Sequence, residues 1–155
     1  MGAGKSTIGR LVAEAAGYPF VDLDSLIEAS AGRAVSTIFE TEGEESFRRW
    51  ESDLLPVALR DVAVVALGGG APGAEANWQL IQKRALSVWI DTPFERVWAR
   101  IGTAAGRPLL RHVDRDGALR LFESRQPRYR AARYRVDGAR PPDRIAAEVL
   151  RLWIG

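Results

Sequence analysis

The stretch Gly2–Thr7, which reads GAGKST, decides the fold. It supplies the second half of the phosphate-binding loop G-x-x-x-x-G-K-[ST], with Gly4, Lys5 and Ser6 in the last three positions. Residues 5–16 follow with apolar side chains at spacings of three and four, which predicts a helix. Glycines let backbone N–H groups approach a phosphate, and the helix directs its positive end toward the same anion. The sequence therefore predicts a phosphate site at the start of the chain.

The same stretch raises a question about what precedes it. Counting back, the first glycine of the full motif falls two positions before Met1, and the strand that feeds such a loop lies further upstream. We therefore expect Met1 to be an internal methionine, with the true start on the order of ten residues earlier, the length of a short strand and its lead-in. A plain glycine turn that caps a helix is the alternative interpretation of the half-motif.

Composition indicates a soluble globular protein. The 155 residues are 46% hydrophobic and 27% charged and include no cysteine, which favours a single domain over residues 1–155 without disulfides or thiol chemistry. The chain has no apolar run of membrane-spanning length and no basic segment followed by an apolar one. We therefore expect no membrane association and a cytoplasmic location.

Charge is distributed unevenly along the chain, although the net charge is only +2. Residues 1–95 carry 8 Lys and Arg against 14 Asp and Glu, and residues 96–144 carry 13 Arg against 5 acids. These arginines are scattered among helical apolar positions and do not form one run. The pattern favours pockets for small anions, and we expect no nucleic acid partner.

Strands and helices alternate along the sequence. The predicted strands are residues 19–23, 62–67, 85–91 and 133–137. The predicted helices are residues 5–16, 24–60 in pieces, 74–84, 92–102, 117–132 and 141–154. Pro56 is expected to kink or end the last piece of the second helical region, and residues 103–116 form a Gly- and Pro-punctuated loop. This alternation predicts an α/β fold with a parallel sheet.

Two carboxylates, Asp22 and Asp24, lie in the stretch FVDLD. Side chains alternate along a strand, so both carboxylates are expected on one face at the carboxyl end, where open α/β sheets bind ligands. Two acids beside a phosphate loop suit metal binding and activation of a hydroxyl group. Capping of the next helix by Asp24 is the alternative interpretation.

Further polar residues follow in four short stretches. SFRRWES places Arg48 and Glu51 on one helix face, for which a solvated surface pair is the alternative interpretation. Gly68–Gly70 follow a buried strand and allow a ligand close to the backbone. Arg107 lies in the predicted loop, and Arg125 lies near the end of a predicted helix. Each arginine taken alone is typical of a surface residue.

Taken in order, GAGKST, DLD, FRRWE, GGG, GRPLL and SRQPRYR resemble the shikimate kinases, from Met1 to the last helix. The resemblance implies a three-layer α/β/α P-loop kinase with a parallel sheet in the order 2-3-1-4-5, whose first strand is absent here. It implies transfer of the ATP γ-phosphoryl group to the 3-hydroxyl of shikimate, with Mg²⁺ as cofactor, in aromatic amino-acid synthesis. We expect a monomer. A non-catalytic shikimate kinase-like binding domain and a kinase of another small hydroxy acid, such as gluconate, remain open.

The resemblance also implies a role for each matching residue. The ATP-binding set is Gly2, Ala3, Gly4, Lys5, Ser6, Thr7, Arg100, Arg107 and Arg140, with Arg100 and Arg140 on the adenine side. The substrate-binding set is Asp24, Arg48, Gly68, Gly69, Gly70 and Arg125. Ser6 and Asp22 are the metal-binding residues. Lys5, Asp24 as base and Arg107 on a lid of about residues 103–116 are the catalytic residues, while Arg48 and Arg125 grip the substrate carboxylate.

Overall fold

The computed structural model describes residues 2–101 and 114–154. In these ranges the chain forms α1 (Lys5–Ala16), β1 (Phe20–Asp22), α2 (Leu23–Ala31), α3 (Val35–Ala58), β2 (Val64–Ala66), a 3₁₀ turn (Ala71–Gly73), α4 (Glu75–Arg84), β3 (Val88–Asp91), α5 (Phe94–Ile101), α6 (Arg115–Arg130), β4 (Tyr134–Asp137) and α7 (Pro142–Ile154). The predicted alternation of strands and helices is confirmed. None of the helices in the described ranges has the length and apolar character needed to cross a membrane.

The strands form two parallel pairs. β1 pairs with β2, with Asp22 opposite Ala66, and β3 pairs with β4, with Asp91 opposite Asp137. Within the described ranges no strand hydrogen bonds join the two pairs. Residues of both β2 and β3 line one largely apolar groove with a volume of about 550 Å³. These pairings match the neighbours 2-3 and 4-5 of the predicted order 2-3-1-4-5, in which β1 to β4 of this chain correspond to strands 2 to 5.

Two apolar clusters pack the helices against one another and against the strands. The first lies among α2, α3 and α4, and its fully buried side chains include Leu23, Ile27, Ile38 and Leu55. The second joins α1 and α7 to the strands, and its buried side chains are Ile8, Val12, Val136, Ile145 and Ala146. Val64 of β2 and Val88 of β3 both pack against this second cluster. Helix α1 and both strand pairs therefore share one apolar cluster, which α7 joins to β4.

Local signals set the bounds of α3 and α6. Helix α3 is continuous except at Gly43, where φ is 82° and ψ is 175°, so the predicted division into pieces is found there. Pro56 lies within the last turn, and the helix ends at Ala58. Helix α6 begins at Arg115, within the predicted loop, because the Asp114 carboxylate accepts a hydrogen bond from the N–H of residue 117 and caps the helix.

Candidate active site

Two glycines shape the loop that precedes α1. Gly2 and Gly4 have φ of 54° and 85°, the left-handed region that other residues rarely adopt. A Cβ atom at Gly2 would also lie 3.1 Å from the Val97 carbonyl oxygen. Arg100 donates from Nη1 to the Gly2 carbonyl at 3.0 Å, which holds the loop against α5. The predicted adenine contact of Arg100 stays a prediction.

Ser6, in the first turn of α1, is joined to the end of β1. Its Oγ donates to Asp22 Oδ2 at 2.6 Å, while Asp22 Oδ1 accepts from the backbone N–H groups of Asp24 and Ser25. Asp22 is thus the last residue of β1 and the N-cap of α2. The prediction that both aspartates share one strand face is wrong, because the strand ends at Asp22 and Asp24 lies in the first turn of α2. The alternative that Asp24 is the cap is wrong for the same reason.

The Ser6–Asp22 pair suits a magnesium ion. Mg²⁺ prefers oxygen ligands and usually keeps several waters, so it is held by one or two protein side chains together with substrate phosphates. A hydroxyl and a carboxylate oxygen 2.6 Å apart beside a phosphate loop provide that donor set. Within residues 2–101 and 114–154 no three His, Cys, Asp or Glu side chains gather as a metal cluster, and such a site does not require one.

Two carboxyl groups approach the start of Gly68–Gly70, the glycine turn that follows β2. A Cβ atom at Gly68 would lie 2.8 Å from both Asp24 Oδ1 and Glu51 Oε1, so only glycine leaves room for them. Both oxygens are buried and accept no hydrogen bond from the described part of the chain. Burial raises the pKa of Asp24, as does the nearby charge of Asp22, while Lys5 opposes the rise. Asp24 therefore presents a buried oxygen that can accept a proton.

Arg48 covers the other end of the same turn. Its Nη1 donates to Glu51 Oε2 at 2.5 Å and its Nη2 donates to Glu44 at 2.8 Å. A Cβ atom at Gly70 would lie 2.1 Å from Arg48 Nη1, so the absence of a side chain at Gly70 makes space for the guanidinium. Glu51 is fully buried, and the interpretation of Arg48 and Glu51 as a solvated surface pair is wrong. Burial raises the pKa of Glu51, with Arg48 opposing.

A cavity of about 580 Å³ lies between α3, the glycine turn and α6. Residues from all three line it, among them Arg48, Gly69, Gly70, Arg125 and Tyr129. The structure thus brings together two arginines that are far apart in sequence. Tyr129 donates from Oη to the Gly69 carbonyl at 2.6 Å. Tyr129 has no role predicted from the sequence, although its place four residues after Arg125 puts both on one helix face.

The remaining predicted residues take several positions. Lys5 lines the 550 Å³ groove together with Ala3 and Gly68, and Thr7 is exposed on α1. Arg140 forms an ion pair with Glu148 of α7 at 2.5 Å, and its predicted adenine contact stays a prediction. Arg107 and most of the predicted lid lie outside the described residues.

Known proteins of one family match almost the whole chain. The family model described as shikimate kinase matches residues 1–153. A shikimate kinase of Gloeobacter violaceus is 46% identical over 156 residues, which cover 97% of this chain and 86% of that protein. The solved structure of the Acinetobacter baumannii shikimate kinase in complex with shikimate has a TM-score of 0.94 at 35% identity, covering 99% of this chain and 88% of that one. The shikimate kinase structure from Aquifex aeolicus has a TM-score of 0.87 at 34% identity, covering 100% and 92%.

Proposed function

Because the chain belongs to the shikimate kinase family, we propose that it transfers the γ-phosphoryl group of ATP to the 3-hydroxyl of shikimate. The products are shikimate 3-phosphate and ADP, in the route to aromatic amino acids. One observation carries the proposal. Arg48 and Arg125 line a single cavity beside the glycine turn, and at the start of that turn lies a buried Asp24 oxygen that accepts no hydrogen bond from the described residues.

The two arginines suit the carboxylate of the acceptor. Guanidinium groups are planar, and their paired N–H groups match the two oxygens of a carboxylate. Glu44 and Glu51 hold Arg48 on α3, while Arg125 reaches the cavity from α6. The carboxylate of shikimate, bound between them, contacts a positive charge on either side. The shikimate ring then extends toward the glycine turn.

Asp24 suits the acceptor hydroxyl. In the proposed step the 3-hydroxyl oxygen forms a bond to the γ-phosphorus, and its proton passes to Asp24. The bond from the γ-phosphorus to the oxygen that bridges it to the β-phosphorus breaks, and ADP leaves. A base works best when its pKa lies near the working pH, and burial raises the pKa of Asp24 from the ordinary carboxyl value. Asp24 therefore orients the hydroxyl and removes its proton.

The phosphate loop supplies most of the remaining catalysis. Phosphoryl transfer depends mainly on positioning and on stabilising negative charge. Lys5 and the backbone N–H groups of Gly2–Thr7 hold the outer phosphates, and Ser6 and Asp22 would hold Mg²⁺. When bound, the ion neutralises charge on the β- and γ-phosphate oxygens. In this proposal Arg107 adds positive charge that stabilises the transferring phosphoryl group.

The proposed setting follows the same reasoning. We propose one domain that works as a monomer in the cytoplasm, with ATP and shikimate as partners and without nucleic acid or membrane contact. The basic C-terminal part then serves anionic small molecules, which is the interpretation that the scattered arginines favour.

An acceptor comparison tests the proposal. The protein is incubated with MgATP and either shikimate or gluconate, and the phosphorylated product is identified by ³¹P NMR and mass spectrometry. We expect shikimate 3-phosphate and no gluconate phosphate. The Lys5→Ala variant is the matched control, since loss of the phosphate-loop lysine should abolish turnover. Phosphorylation of gluconate would favour the other hydroxy-acid kinase, and shikimate binding without product would favour a binding domain.

A further inference from the structure

The phenol of Tyr129 joins α6 to the glycine turn at the cavity. Its Oη lies 2.6 Å from the Gly69 carbonyl oxygen. A carbonyl oxygen only accepts, so the phenol is the donor. We infer that Tyr129 is a positioning residue for the acceptor substrate, acting through the Gly69 peptide and through Arg125. The inference rests on the proposed function and adds a residue to that site.

The first consequence concerns the glycine turn. Consecutive glycines have the greatest backbone freedom of any residues, so this turn needs external contacts to hold one conformation. The bond from Tyr129 fixes the Gly69 carbonyl, and with it the plane of the peptide that joins Gly69 to Gly70. That peptide is trans, so the Gly70 N–H points away from the carbonyl that Tyr129 binds. The phenol thus determines which side of the turn presents an N–H group.

The second consequence concerns the two arginines. Arg125 lies one helical turn before Tyr129 on the same face of α6. Arg48 lies against Gly70, the residue that follows the bonded carbonyl. A bond between Tyr129 and Gly69 therefore sets the separation between Arg125 on α6 and Arg48 on α3. This separation determines whether one carboxylate contacts both guanidinium groups.

The environment of the phenol favours this donor role. Burial raises the pKa of Tyr129 above its ordinary value, and Arg125 and Arg48 oppose the rise only in part. The group therefore keeps its proton through the neutral range. The bond is also half-buried, which limits competition from water.

Helix α6 has other attachments, so removing the hydroxyl should leave the fold intact. Arg128 donates to Glu75 at 2.7 Å, and its guanidinium lies 5.4 Å from the centre of the Trp78 ring. These contacts hold the same end of α6 to α4. Loss of the Tyr129 bond then changes the turn and the arginine spacing without releasing the helix.

The test is the Tyr129→Phe variant, which removes only the hydroxyl. Initial rates are measured with shikimate varied at saturating MgATP, and then with MgATP varied at saturating shikimate. We expect the KM for shikimate to rise roughly three- to tenfold, the range for one lost neutral hydrogen bond. The KM for ATP, kcat and the thermal midpoint should stay close to those of the wild type. Tyr18→Phe is the matched control, because Tyr18 is 47% exposed and its ring contacts that of Trp153, far from the cavity in sequence.

Three results would overturn the inference, and they are distinguishable. An unchanged KM for shikimate in Tyr129→Phe would show that the bond does not position the substrate. A lower kcat and thermal midpoint with an unchanged KM would show a structural role alone. Absence of shikimate-dependent turnover in the wild type would remove the proposed function itself, and the inference with it.

Discussion

Arg48 and Glu51 form an ion pair in which a fully buried carboxylate holds a partly exposed guanidinium. Nη1 of Arg48 lies 2.5 Å from Oε2 of Glu51, and the arginine side chain is 28% exposed while the glutamate is 0% exposed. Burying a lone carboxylate is costly, so the arginine compensates the glutamate. The bond to Glu51 also orients the guanidinium toward the glycine turn. One pair thus serves both the stability of α3 and the geometry of the cavity.

Removing the cationic partner should be costly. Arg48→Ala leaves the fully buried Glu51 carboxylate without its counter-charge, and we expect the free energy of unfolding to fall by about 3 kcal/mol, measured by chemical denaturation. The matched control is Arg49→Ala on the same helix, whose pair with Glu45 at 3.3 Å is exposed on both sides. That variant should show no resolvable change. Equal effects of the two substitutions would contradict the structural role assigned to the Arg48–Glu51 pair.

The glycine turn can be tested at a single Cβ atom. Gly70 has φ of −97° and ψ of −25°, a conformation that alanine adopts easily, so only the contact with Arg48 opposes a side chain there. Gly70→Ala should displace the guanidinium and raise the KM for shikimate about tenfold, the effect of one weakened charged hydrogen bond. The KM for ATP should not change. Gly73→Ala is the control, because its Cβ would meet no atom within 4 Å, and matching KM values for the two variants would refute the argument.

Arg125 should affect the binding of shikimate and not the binding of ATP. Arg125→Ala removes one of two cationic groups at the cavity, and we expect the KM for shikimate to rise roughly 10- to 100-fold with little change in ATP binding. Steady-state kinetics and nucleotide titration measure the two effects. Arg120→Ala, exposed on the same helix, controls for loss of a positive charge. Equal weakening of shikimate and ATP would place Arg125 away from the substrate carboxylate.

Substitution of Asp24 should lower turnover and raise the stability of the fold. Because burial raises its pKa, the ionised carboxylate destabilises the fold at neutral pH, whereas below the ordinary value of 3.8 the group is protonated in both states. Asp24→Asn should therefore abolish turnover and raise the thermal midpoint at pH 7, and the gain should vanish as the pH falls below about 4. Asp53→Asn, exposed on α3, is the control. A lower midpoint at pH 7 would contradict the assignment.

The same shift predicts the acid limb of the pH–rate profile. If Asp24 accepts the proton from the acceptor, kcat/KM for shikimate should fall as the pH drops through the raised pKa of Asp24. The limb should therefore lie above the ordinary carboxyl value of 3.8. Rates measured over pH 4 to 8 with a stable coupled assay check this expectation. A profile that stays flat down to pH 4 would exclude Asp24 as the base.

The phosphate loop, α1 and the alternation of strands and helices were predictable because their signals are local. GKST at the start of an amphipathic helix specifies a loop conformation within a few residues. The apolar run at residues 62–67 likewise predicted a strand, which covers Val64–Ala66; the prediction that it is fully buried is wrong, because Val64 and Val65 are half-buried and Val62 is exposed. These features depend on neighbouring residues alone, so composition and spacing suffice to predict them.

Features set by distant contacts were not predictable in the same way. Strand alternation could not show that β1 ends at Asp22, because the end is fixed when that side chain caps α2. The burial of Glu51 depends on Gly68, and the link from Tyr129 to Gly69 spans 60 residues. Such contacts arise only once α3, α6 and the glycine turn pack together. Periodicity showed which residues share a helix face and not what that face touches.

Phosphoryl transfer from ATP to shikimate is tested most directly by ADP release from MgATP, measured with and without shikimate on the wild-type chain and on Lys5→Ala. We predict a rate that depends on shikimate and saturates with it in the wild type, and no such rate in Lys5→Ala. Circular dichroism on the same samples establishes that both proteins are folded. A folded wild-type protein whose ADP release is unaffected by shikimate would contradict the account.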